Sequence, residues 1–171
     1  MWFIRHHRQN FATDERGVAM IEMAVVLPVL LAIGLGVIEF GNAIFSQHLI
    51  ANGVRDAARY IAGLPQVDAD DNSLRSVNEA PAKSIALTGE TSGTNYRVSW
   101  WNDPVSMVTI TYDDVANDDG SGGQLYRGGN IITTVTVEAN VPYQQLGFLA
   151  FFGLSAPTLR VSHQERVYGV R

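Results

Sequence analysis

The sequence predicts an α+β protein in which one long N-terminal helix, transmembrane at first and amphipathic beyond, packs on a small antiparallel β-sheet. Three observations predict it. Val18 to Phe45 carries only two charged residues, Glu22 and Glu39, and the run between Met23 and Ile38 has none. From Phe40 through Ala43, Ile44, Gln47, Ile50, Ala51, Val54, Ala57, Ala58 and Ile61, mostly apolar residues recur at three- and four-residue steps, the period of a helix face. Past residue 94 the chain turns to Val, Ile, Thr and aromatics with local alternation, the signature of strands.

The apolar run comes first. A helix rising about 1.5 Å per residue crosses a hydrocarbon core of about 30 Å with roughly 20 apolar residues, and this run supplies them. A secretory signal has a shorter core, roughly 7–15 residues, and ends in a small-residue cut site. Here helix-like sequence continues past Gly41 without an Ala-x-Ala break, so the run reads as a retained anchor. Pro28 removes a backbone hydrogen bond inside the helix and should bend it, which neighbouring helices in a bundle tolerate. Ala32 and Gly36 form a small-xxx-small pair suited to close helix contact. Gly63-Leu64-Pro65 marks the end of the helix.

Glu22 stands out because a carboxylate near the end of a spanning helix is costly unless it is paired or neutralised. A cut between Gly17 and Val18 would create an α-amino cation about one turn away, on the same subunit or a neighbouring one. The plainer alternative is a carboxylate that reaches out to the headgroups. Residues 1–17 read as a polar leader with no assigned fold. Arg5, Arg8 and Arg16 precede the span while Arg55 and Arg59 follow it at a distance, so the positive-inside tendency places the N-terminus in the cytoplasm.

Arg16-Gly17, Glu22, Leu27-Pro28, Glu39-Phe40-Gly41 and Ala57-Ala58-Arg59-Tyr60 together resemble the TadE-like minor pseudopilins of the tight-adherence (Flp) pilus machinery. Gly17 followed by Glu22 is similar to the class III leader of type IV pilin-like proteins, which a membrane prepilin peptidase cuts. The resemblance implies that Arg16, Gly17 and Val18 mark the cut and that Glu22 is the assembly carboxylate. It also implies the partners: the prepilin peptidase, other pilins or pseudopilins, the inner-membrane pilus platform and the membrane itself.

Three parts follow: a leader at 1–17, a helix at 18–62 and an extracytoplasmic α+β domain at 63–171. Within the last, Glu79 to Leu87 predicts a short helix with Pro81 in its first turn. Strands are expected at Asn95 to Trp101, Val105 to Tyr112, Ile131 to Val141 and Thr158 to Tyr168. Asp113 to Asn130, rich in Asp and Gly, reads as a mobile connection. Leu146 to Leu154 is a second apolar segment, too short to span. It either plugs the space between sheet and helix or lies exposed as a membrane-surface or partner contact.

Several chemistries find little support. The 171 residues carry a net charge of −5, which argues against nucleic acid as a partner. With no cysteine there is no disulfide and no thiolate metal site. Asp68, Asp70, Asn72, Ser76 and Glu79 fall at the oxygen-ligand spacings of an EF-hand loop, but Ser73 stands where the turn wants glycine and Arg75 where an apolar anchor is usual. A solvated acidic linker is therefore the reading there, with no metal and no cofactor expected. No nucleophile elbow is present, Ser162 and His163 are merely sequence neighbours, and Gly128-Gly129 lacks the lysine of a phosphate loop, so no enzyme is expected.

The function read from the sequence is a membrane-anchored pseudopilin-like structural subunit that assists assembly of Flp pili. It would sit in the bacterial inner membrane as a single-pass protein with its C-terminal domain in the periplasm. The alternative is a signal-anchored extracytoplasmic binding module, holding calcium or a surface ligand. A cut at Gly17 separates the two, since a binding module has no use for it.

Overall fold

The computed structural model describes residues 15–66, 73–103, 107–127 and 129–169. A single helix, α1 (Glu15–Ala62), holds 48 residues and runs unbroken through Pro28. At about 1.5 Å per residue it is about 72 Å long. Its first half is exposed on every face, whereas its second half forms one wall of the core.

The buried residues explain that division. Gly36, Glu39, Ala43, Ser46, Ile50, Gly53, Val54, Ala57 and Ile61, all covered at least in part, recur at three- and four-residue steps and so lie along one stripe of α1. Gly63 and Pro65 follow the last turn as the sequence predicts, and the end is capped from outside. Gln66 Nε2 donates to the carbonyls of Ile61 and Leu64, and the amides of Tyr168 and Gly169 both donate to Ala62 O, at 2.8 and 3.0 Å. Carbonyls that a helix end leaves without partners are thereby satisfied.

Across this stripe lie α2 (Arg75–Thr88) and a three-stranded antiparallel sheet of β1 (Val108–Ala116), β2 (Ile131–Pro142) and β3 (Thr158–Arg166), in the order β1-β2-β3. The register pairs Ile110 with Val137 and Ala139 with Val161, so Val135, Val137, Ala139 and Val141 of the central strand face α1 with their cross-strand neighbours. Side chains of a strand alternate between faces, and the alternation seen in the sequence selects this one. The sheet and the outer half of the helix thus supply each other's missing layer.

Three local expectations are corrected. Helix α2 begins at Arg75, so Pro81 lies in its interior rather than its first turn. The carbonyl that Pro81 cannot engage belongs to Val77, which is exposed and can turn to water. Gly89, at φ 89°, closes the helix in the left-handed conformation with its amide on Ile85 O.

Asn95 to Trp101 is a bend leading into a turn, not a strand. Its two buried residues, Val98 and Trp101, are three apart, and Trp101 N donates to Val98 O at 2.9 Å. That spacing suits a turn and not the two-residue period of a strand. Arg97 fixes the turn to α1 through Asp56 at 2.6 Å.

The third correction concerns the acidic stretch, because β1 reaches Ala116 and takes Asp113 and Asp114 into the sheet. Both Asp114 oxygens accept from Arg75 at 2.7 Å, and one also accepts from Thr133 Oγ1 at 2.7 Å. The connection beyond has its own frame. Asn117 donates to the carbonyls of Tyr126 and Gly129 and accepts from Tyr126 N, while Asp119 accepts from the amides of Ser121 and Gly123. Side chains of Asn and Asp do here what a ladder would otherwise do. The expected strand start at Val105 lies outside the described residues.

Candidate functional site

Two regions of α1 carry the residues singled out in the sequence. At the N-terminal end, Arg16, Gly17 and Val18 are helical, and a side chain at Gly17 would meet nothing within 4 Å. Val18 is exposed, and Glu22, four residues on, stacks over the same face and is exposed as well. Among the described residues Glu22 has no hydrogen bond and no ion pair. From Val18 to Ile38, every large apolar side chain is turned outward: Leu30 is 59% exposed, Ile33 60% and Val37 68%. Among the described residues nothing covers them.

The second region lies where the apolar segment meets the head, and it is centred on Glu39. That residue is 3% exposed. Its carboxylate accepts from the amide of Leu146 at 2.9 and 3.2 Å, one distance to each oxygen. One turn further along, Asn42 Nδ2 donates to the Tyr143 hydroxyl at 2.8 Å, and that hydroxyl donates to the backbone carbonyl of Glu39 at 3.3 Å. Burial first, and the contact with Glu39 after it, push the Tyr143 phenol above its ordinary value, so it stays a neutral donor. Trp100 packs edge-on against the Tyr143 ring at 5.8 Å. A polar clasp thus joins the end of β2 to the helix at the level where burial begins.

The resemblance takes in Glu39 and implies no role for it. The available signal was its place on the buried stripe, three residues from Gly36 and four from Ala43. A carboxylate on such a stripe is turned toward protein, where it needs a donor.

The small pair Ala32 and Gly36 is not left free for a neighbouring helix. The Phe148 ring stands over Gly36, close enough that a Cβ there would meet it at 3.3 Å. Of the oxygen-ligand candidates, Asp68, Asp70 and Asn72 lie outside the described residues, while Ser76 and Glu79 stand on α2. The Glu79 carboxylate lies 3.8 Å from Lys83 Nζ. Among the described residues no group of three or more His, Cys, Asp or Glu is placed to hold a metal. Glu165 of β3 meets Arg59 of α1 at 3.6 Å and so ties the sheet edge to the helix, while His163 Nε2 sits 3.0 Å from the same carboxylate.

An exposed apolar helix long enough to cross a bilayer, with a small α+β head built around its far half, is a candidate membrane anchor carrying its own extramembrane domain. Residues 17–59 match the family model of TadE-like protein, so the likeness lies wholly within α1. No curated protein and no solved structure matches the chain.

Proposed function

We propose that this protein is a leader-processed, membrane-anchored pseudopilin-like subunit that assists assembly of tight-adherence (Flp) pili. The observation that carries the reading is the TadE-like match over residues 17–59, which starts at Gly17 and takes in Glu22 and the whole exposed apolar segment. In this reading the helix lies in the bacterial inner membrane with its N-terminus in the cytoplasm and its head in the periplasm. The prepilin peptidase cuts between Gly17 and Val18. The Val18 amine so released and the carboxylate of Glu22 then pair between neighbouring subunits, which fixes their stagger. Other pilins or pseudopilins and the inner-membrane platform are the partners, and the subunit works by packing, not by catalysis.

Open space at Gly17 and the exposure of Val18 support this reading. The test is N-terminal sequencing of the membrane form from cells that hold the matching peptidase. The mature chain should begin at Val18, and Gly17→Trp should leave the precursor whole. A mature chain that begins at Met1, or after Gly34 or Gly36, refutes the processing and the pseudopilin reading with it.

A further inference from the structure

The apolar segment after β2 does not plug the space between sheet and helix. The short helix α3 (Phe148–Phe151) buries none of its side chains. Phe151 is 84% exposed, and Leu146, Phe152 and Leu154 are each more than half exposed. The rings of Phe148, Phe151 and Phe152 pack on one another, at 4.9 and 5.3 Å, and not into the core.

The segment's path says where those rings are. Tyr143 meets α1 at Asn42, Leu146 meets it at Glu39, and Phe148 meets it at Gly36. The chain therefore descends antiparallel to α1, back along the helix toward its apolar half, by about 9 Å over those six helix residues. It then returns, with Tyr143 N bonded to Pro157 O at 2.9 Å where the two arms of the loop close.

The loop and the helix beside it turn no charge outward. No charged residue lies between Glu138 and Arg160, and Glu39, the only charged residue of α1 between Glu22 and Arg55, is turned inward onto the Leu146 amide. On the faces of α1 away from the loop, Phe40, Ile44 and Phe45 are exposed, at 68%, 40% and 62%. The apolar surface is thus a collar around the whole helix, continuous with the exposed segment below it. A partner protein would cover one side of such a collar, whereas lipid covers all sides at one depth.

We propose that residues 146–154 form a second membrane contact, an aromatic loop clasped to α1 through Glu39 and immersed in the head-side interface of the bilayer that α1 crosses. The occupant is lipid. This rests on the membrane-anchored reading of α1 given above, and the loop can fail while the anchor stands.

Cysteine is absent from the chain, so single-cysteine variants of the full-length protein report position without background. Phe151→Cys and Phe152→Cys are placed on exposed side chains, Val29→Cys lies in mid-span, and Ser121→Cys lies in the β1–β2 connection at the far end of the sheet. Each carries an environment-sensitive fluorophore in nanodiscs of phosphatidylethanolamine and phosphatidylglycerol, with a spin label near the headgroup or near the acyl-chain end. Labels at 151 and 152 should be quenched by the shallow spin label at least about twofold more than the label at 121, and shielded from aqueous iodide. Val29 should respond to the deep label. If Val29 is lipid-quenched while 151 and 152 remain open to iodide, the loop proposal is overturned and the anchor stands. Shielding from iodide without lipid quenching means that protein covers the loop, and this also overturns it. If Val29 itself meets no lipid, the anchor reading falls and the loop proposal with it.

Discussion

Gly53→Ala should loosen the head by separating α1 from α2. Gly53 sits on the buried stripe directly beneath α2. A Cβ placed there would run into the carbonyl oxygen of Ala86, and would stand 3.0 Å from that carbonyl carbon and 3.1 Å from Cζ3 of Trp101. Both neighbours are fully buried, and one of them is backbone, so no flexible side chain can swing aside. The two helices must part by about an ångström, and overpacking of this kind costs about 1–3 kcal/mol. Alanine recovers about 0.5–1 kcal/mol of helix propensity. The net loss is about 2 kcal/mol because the clash is with backbone, which for a head of this size lowers Tm by roughly 6–10 °C. Gly41→Ala is the matched control, since a Cβ at Gly41 meets nothing within 4 Å. Thermal melts of the full chain in detergent, followed by near-ultraviolet circular dichroism of the buried Trp101, measure both. A Gly53→Ala melt at or above the wild-type temperature would refute the close-approach argument.

Two further outcomes are expected. Glu22→Gln should insert and be processed at near-normal levels while surface pili fall, because the amine that would pair with Glu22 exists only after the cut. Unchanged piliation on immunoblots and electron micrographs removes Glu22 from the site. Asp114 is held below the usual carboxylate range, first by hydrogen bonds from Arg75 and then by Thr133. A carboxyl group lowered in the folded state stabilises above its unfolded value and loses that contribution as pH falls through its folded one. The head should therefore lose stability below about pH 4, and Asp114→Asn should flatten that decline. The side chain is 40% exposed, so the effect should be about 1 kcal/mol or less. Urea unfolding at neutral and acid pH measures it, and an equally steep acid decline in the variant would discount the Arg75 clasp.

The parts of this fold written in periodicity were legible in the sequence. Ile50, Val54, Ala57 and Ile61 announce a helix face, Val135, Val137, Ala139 and Val141 announce a strand, and Gly63 with Pro65 announces a stop. What escaped is set by contacts distant in the chain. Trp101 and Val98 have the composition of a strand, yet the crossing of α1 and α2 at Gly53 draws Trp101 into the core. Asp114 has the composition of a loop, yet Arg75 and Thr133 hold it in β1. Glu39 lies in an apolar run, and only the return of residue 146 to the helix shows why a carboxylate is tolerated there.

Because α1 is continuous from Glu15 to Ala62, no joint separates the anchor from the head. The residues that would form a linker in a modular design, from Ser46 to Ile61, are themselves one wall of the core. Val54 and Ala58, on the same helix as the apolar half, pack in one core with the sheet. The helical shaft runs through its own head, so the direction of the one fixes the direction of the other. Severing the shaft near Glu39 would remove the anchor but leave the wall, whereas a cut near Gly53 would open the core.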